Sequence, residues 1–236
     1  MRRSVPLADT TSELTEPHFR RNDPERTKRE IMEAAREEFA RHGLTGARVD
    51  AIAARTRTAK RMIYYYFGSK EGLYLAVLEA AYDDIRSVER ELRLEALAPE
   101  EAIRRMAEFT FDYQWDHADF TRLVTIENIH HGQYLRQSRS ARALNVTIID
   151  ALRTILERGR REGLFRGDVD AVDVHLFISG FCFFRSANRH TIEVLFGKDL
   201  GEEALRTRHR EMLVQGVLGM LRPLGDGTGA EGGATP

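Results

Sequence analysis

Apolar residues recur at helical spacing through most of this chain, and polar breaks divide them into about nine segments. Two short segments lie close together near the start. Val49, Ile52 and Ala53 form one stripe, Thr56, Arg57 and Thr58 interrupt it, and Ala59, Ile63 and Phe67 form a second at i, i+4 and i+8. Two helices joined by a three-residue turn have helix-turn-helix spacing, and both stripes face one small core. At about 100° per residue, the opposite side of the second helix carries Lys60, Arg61, Tyr64 and Tyr65, which can donate to phosphates or base edges.

The flanking segments frame this pair. Asp23 and Pro24 make a strong helix start, an N-cap acceptor followed by a proline whose missing N–H costs nothing there. That helix runs to His42, where Gly43 stops it, and Ile31, Ala34, Ala35, Glu38 and Phe39 give a mostly apolar face to cover the pair. Arg48 begins the second helix, Gly68 ends the third, and Ser69 caps a fourth whose first turn presents Lys70. A helix N-terminus beside a lysine is a phosphate clamp. From Glu71 one long helix continues, with Leu73, Val77, Ala80 or Ala81, Asp84 or Ile85, and Val88 along its inner face.

Five further helices are expected. Pro99 begins one, with Ile103, Met106, Ala107, Thr110 and Phe111 inward, that ends near His117–Asp119. Others cover about 120–135, 138–161 (stopped by Gly163), 170–188 and 202–221. The segment 170–188 is apolar nearly all round, and such a helix must be covered on every side. Too few helices remain in one chain to wrap it, so 170–188 and 202–221 are expected to pack against their copies in a twofold homodimer.

Composition adds limits. At 42% apolar, 236 residues suffice for one small and one medium core. The expected divisions are a mobile N-terminal arm over 1–22, a DNA-binding domain over 23–70, a larger helical domain over 71–222 and a Gly-rich tail over 223–236. The chain carries a net charge of −1, yet residues 48–70 hold six bases (Arg48, Arg55, Arg57, Lys60, Arg61, Lys70) against one acid (Asp50), a local +5. Local charge rather than the sum attracts phosphate. Arg20 and Arg21 close the arm, which either reaches into a DNA groove or only solubilises the chain. Cys182 is alone, which excludes a disulfide framework and fits a reducing cytoplasm. No run of 18 or more apolar residues suggests a membrane span, and the N-terminus lacks the apolar stretch of a secretory signal.

The block AKRMIYYYFGSKEGLY, residues 59–74, resembles the TetR-type (TetR/AcrR) bacterial transcriptional regulators, and the likeness is close over about 24–80. Beyond residue 80 it lies only in layout. The resemblance implies an all-α protein: an N-terminal three-helix helix-turn-helix domain plus a larger C-terminal helical domain for ligand binding and dimerisation. It implies a repressor that binds an inverted-repeat, double-stranded operator as a dimer and is released by a small-molecule effector, with the helix after Glu71 as lever. By resemblance Lys60, Arg61 and Tyr64 address bases or nearby phosphates, while Tyr65 and Lys70 hold the backbone; Tyr66 and Phe67 lie toward the core. Three positions depart from the family pattern. Arg48 stands where a small hydroxyl residue is usual, and it reaches a phosphate but cannot cap. Arg57 replaces a common glycine, and Ala59 replaces a capping serine, leaving Thr58 as a substitute cap from one position earlier.

Phe109, Tyr113, Trp115, Asn128, His131, Phe177, Phe181 and Arg185 fit the lining of a small-molecule cavity, and equally an ordinary aromatic core. Arg185 with Asn188 suits an anionic ligand or a dimer-interface salt bridge. Glu127 and His131 at i, i+4, with His130, His117 and Asp116 near in sequence, fall short of a convergent metal set. Enzyme signatures such as G-x-S-x-G, H-E-x-x-H and the P-loop are absent, and Gly227, Gly229 and Gly232 spell a dinucleotide fingerprint with no strand before it. No cofactor is implied. Two function classes stay open: a ligand-released repressor, and a ligand-independent DNA-binding activator or protein-docking regulator.

Overall fold

The computed structural model describes residues 23–224, Leu144 by its backbone alone, and these residues form ten α-helices and two 3-10 turns with no strand. The arm over 1–22, with Arg20 and Arg21, and residues 225–236 of the tail lie outside the described residues.

Helix α1, Pro24–Gly46, starts as its cap dictates: Asp23 Oδ1 accepts from the Glu25 and Arg26 N–H groups, both at 3.1 Å. Its regular part breaks at Gly43, whose φ of 68° and ψ of 174° suit a residue without Cβ. Helices α2, Val49–Thr56, and α3, Lys60–Phe67, follow, and α4 spans Lys70–Glu91. Ser69 Oγ caps α4 by accepting from Gly72 N–H at 2.9 Å. Leu92 and Arg93 lead from α4 into a 3-10 turn at Leu94–Ala96, and α5 follows as Pro99–Asp116.

The expected sixth helix over 120–135 is corrected to α6, Ala118–Ile129, followed by a turn and a 3-10 segment at Leu135–Gln137. His131 and Gly132 both take positive φ, 56° and 68°, which ends helical propagation. Buried Glu127 fixes the turn, its Oε1 accepting from the Tyr134 and Leu135 N–H groups at 2.9 Å each. Helix α7 spans Arg139–Arg161 and is capped by Ser138 Oγ, and α8 spans Ala171–Ala187 behind a capping box of Asp170 and Asp173. An eight-residue helix, α9, Arg189–Phe196, raises the expected nine helices to ten, and α10 closes the fold as Glu203–Leu221.

Two clusters of buried side chains hold these elements. One joins Ile31, Phe39, Ile52 and Ile63 to Leu73, Tyr74, Val77, Leu78 and Ile85 of α4 and to Phe120 and Leu123 of α6. Burying Ile52 or Ile63 fully contributes about 2 kcal/mol each. The other joins Ile103 and Phe111 of α5, Leu152 and Ile155 of α7, Val174 and Ile178 of α8, and Leu213, Val217 and Leu221 of α10. Helix α4 therefore shares a core with the helix-turn-helix. An ion-pair clasp reinforces that contact: Arg36 of α1 donates to Asp84 of α4 at 2.6 Å and to Asp119 of α6. The inner face of α4 differs from expectation at its far end, where Val88 is exposed and Arg86 and Glu89 are buried instead.

Candidate DNA interface

Short helices need tertiary support, and α2 and α3 have eight residues each. Val49, Ile52 and Ile63 point into the first cluster, with Tyr66 and Phe67 half-buried against it. This anchoring turns the other side of α3 outward. Lys60 and Arg61 are exposed, Tyr64 is 39% exposed and Tyr65 78% exposed. Those four side chains, Arg48 and Arg57 meet solvent, while Thr58 and Lys70 are half-buried.

The N-terminus of α2 is fixed by a residue that the apolar pattern conceals. Arg48 is the N-cap with extended backbone and gives no side-chain cap; buried Glu38 of α1 instead accepts the Arg48 N–H at 3.0 Å. The cap thus comes across the tertiary contact, which frees the Arg48 side chain for solvent.

Arg57 ends α2 in the left-handed region, φ 52° and ψ 28°. Such a conformation costs a residue with a Cβ about 1–2 kcal/mol. Thr58 does not repair the start of α3: its Oγ1 donates back to Thr56 O at 3.3 Å, and α3 has no side-chain cap at Ala59. That expectation is corrected, because the hydroxyl is turned toward the helix before it. The uncapped start of α3 leaves backbone N–H groups beside Lys60 and Arg61, an arrangement suited to a phosphate.

Charge on this surface is held in place by weak, replaceable contacts. Lys60 Nζ lies 2.9 Å from Asp50, whose carboxylate raises the lysine above its ordinary range and keeps it charged. Lys70 Nζ donates to Thr45 O at 3.2 Å across the turn before α2. Both contacts are open to solvent, so a phosphate can displace either partner.

The expected cavity residues divide into groups. Trp115, Phe181 and Arg185 come together: the buried Arg185 guanidinium lies 4.6 Å from the Phe111 ring and 4.4 Å from the Trp115 ring, donates to Leu200 O, and faces His209. Asn188 is not part of this group, since it caps the end of α8 and donates to Phe184 O there. Phe109 and Tyr113 join the first cluster, where Tyr113 stacks on His117 at 3.9 Å. Asn128, His131 and Phe177 are exposed. Among the described residues no group of three or more His, Cys, Asp or Glu side chains converges as a metal site. None of the described helices is long and apolar enough to cross a membrane.

Comparison with known proteins agrees with this geometry. The model for "Bacterial regulatory proteins, tetR family" matches residues 31–77, and that for "Tetracyclin repressor-like, C-terminal domain" matches 99–217. The chain is 38% identical over 184 residues to the HTH-type transcriptional repressor NicS of Pseudomonas putida, a match covering 78% of this chain and 87% of that protein. The crystal structure of SCO4942 from Streptomyces coelicolor superposes with a TM-score of 0.63 at 31% identity, covering 84% of this chain and 99% of the other. FadR of Bacillus subtilis, solved in complex with stearoyl-CoA, has the same fold, with a TM-score of 0.59 at 21% identity over 80% and 98% of the two chains.

Proposed function

The chain belongs to the tetR family of bacterial regulatory proteins, and on that footing we propose that it represses transcription as a twofold dimer on an inverted-repeat operator. The observation that carries the proposal is the outward, positively charged and tyrosine-bearing side of α3, supported from behind by Ile63. In this reading Lys60, Arg61 and Tyr64 enter the major groove, and Arg48, Arg57, Thr58, Tyr65 and Lys70 hold the phosphate backbone. The reading head comprises 23–70, and 71–222 form the dimerising and ligand-binding part, with the arm and tail at 1–22 and 223–236.

The outer faces of α8 and α10 support the dimer. Val172, Leu176, Phe177 and Phe184 of α8 and Met212 of α10 are exposed apolar groups on adjacent helices. Within the chain the two helices already touch, since a Cβ on Gly216 would meet the Phe177 ring at 3.1 Å. Contiguous apolar surface of this kind marks an interaction site. A small molecule within 71–222 then releases DNA by favouring a different spacing of the heads, and the fold shared with stearoyl-CoA-bound FadR supports a ligand role for these helices.

Mobility-shift titrations on DNA upstream of the chain's own gene test the assignment. Lys70→Ala weakens binding to all sequences and lowers the slope of log affinity against log salt by about one, whereas Arg61→Ala relaxes discrimination at particular bases. A Lys70→Ala protein with altered base preference and an intact salt slope contradicts it. Arg57→Gly relieves left-handed strain and raises stability by about 1 kcal/mol. It also lowers operator affinity at low salt if the arginine holds a phosphate; unchanged affinity removes that role.

A further inference from the structure

A groove of about 650 Å³ runs between the end of α1, α6 and the junction of α8 with α9. Its walls carry Arg41 of α1, Arg122 of α6, and Arg189 and His190 of α9, and no side-chain carboxylate lines it. Elsewhere in the fold arginines meet acids: Arg36 pairs with Asp84 and Asp119, Arg206 with Asp112, and Arg210 with Glu108. The whole chain has 36 basic and 37 acidic residues, so three guanidiniums gathered away from any acid do not follow from composition.

None of the ion pairs among the described residues includes Arg41, Arg122 or Arg189. Arg41 and Arg122 are exposed, and Arg189 is half-buried, its Nε donating to His190 Nε2 at 3.1 Å. Helix α9 begins in this wall without a side-chain cap, so the positive end of its dipole adds to the same field. Apolar surface adjoins the charge, since half-buried Ile126 of α6 and Phe183 of α8 line the groove as well. Small-molecule sites join an apolar wall to a few polar groups in roughly 300–1,000 Å³. Several unmatched guanidiniums select an anion of more than one charge, and phosphate suits them because the arginine fork fits two of its oxygens.

We propose that this groove binds a phosphorylated small molecule, with its phosphates on Arg41, Arg122 and Arg189 and its apolar body against Ile126 and Phe183. The site goes beyond the effector region at 71–222, because α1 of the reading head supplies one wall. Gly43, where the regular part of α1 breaks, lines the same groove. A ligand there ties the end of α1 to α6 and α8, and its consequence for operator binding rests on the proposed function.

Isothermal titration calorimetry of the full chain without DNA, using sodium pyrophosphate, ADP, citrate and adenosine, tests the site. Pyrophosphate and ADP bind, ADP more tightly, and adenosine does not. Citrate, which carries several charges but no tetrahedral phosphate, binds about tenfold more weakly than pyrophosphate. Arg122→Gln weakens pyrophosphate binding about tenfold or more, in line with the loss of one charged hydrogen bond. Arg41→Gln/Arg122→Gln/Arg189→Gln melts like the wild type and binds neither phosphate compound, whereas Lys60→Ala/Arg61→Ala, altered on the DNA face, binds both as the wild type does. Absence of binding by both phosphate compounds, citrate binding as tight as that of pyrophosphate, or binding that survives in the groove variant and is lost in the DNA-face variant, overturns the proposal. Operator affinity is read separately. Phosphate binding that leaves it unchanged keeps the site and detaches it from DNA release, while a groove variant that lowers the salt slope of operator binding with no ligand present assigns these arginines to DNA and overturns the ligand site.

Discussion

Leu176→Glu on the outer face of α8 yields a monomer in sedimentation velocity and lowers operator affinity on the order of a thousandfold, toward the level of non-specific binding. Leu176 is 63% exposed and Phe184, two turns on, 61%, although their helix packs its other side, Val174, Ile178 and Cys182, into the second core. An aliphatic and an aromatic side chain on one open face stand to lose water only against another surface, and the matching face of a second copy is the self-complementary choice. Twofold symmetry brings the new carboxylate in twice, so two charges are buried without partners. Each released monomer then holds one half-site. Leu176→Ala, which removes area without adding charge, has a smaller effect on both measurements. Wild-type operator affinity in a monomeric Leu176→Glu protein would end the dimer reading.

Gly72→Ala has the largest expected effect on stability. A Cβ at Gly72 would lie 2.2 Å from the Phe67 carbonyl oxygen, and since the backbone fixes both positions no rotamer change relieves the clash. The last turn of α3 or the first of α4 must shift. The cost is about 3 kcal/mol, at the upper end for overpacking, and for about 200 folded residues this lowers Tm by roughly 6–12 °C. The same shift displaces Ser69 and Lys70, so operator affinity falls with stability. Gly159→Ala is milder by comparison, because its close neighbour is the Phe165 ring, a side chain that can move. Thermal melts of the two variants separate the cases, and a Gly72→Ala protein that melts with the wild type would contradict the tight α3–α4 turn.

Local signals in the sequence account for much of this architecture. Asp23, Ser69, Ser138 and Asp170 each cap the helix they precede, and Gly43 and Gly163 interrupt helices through positive φ. The orientation of α3 was legible because about half a helical turn separates Ile63 from Arg61 and Tyr65. What the sequence did not reveal depends on contacts distant along the chain. Glu38 reads as a polar interruption in an apolar face, and its role at Arg48 exists only because α1 crosses the start of α2. Thr58 could cap forward or bond backward, and only the turn geometry decides between them. Arg86 and Glu89 at i, i+3 look like an ordinary solvated pair, and their burial follows from α7 packing on α4. Helix α9 escaped notice because Val194, Leu195 and Phe196 are exposed, so its sequence carries no inward stripe.

The central claim is that the basic, tyrosine-bearing side of α3 reads a duplex from two symmetric positions. Hydroxyl-radical footprinting of the purified chain on DNA upstream of its own gene addresses it directly. The account predicts two protected stretches on one side of the duplex, about 34–36 Å apart from centre to centre, and both vanish in a Lys60→Ala/Arg61→Ala protein that melts like the wild type. Protection that is uniform along the fragment, or a paired footprint that survives the double substitution, would contradict it.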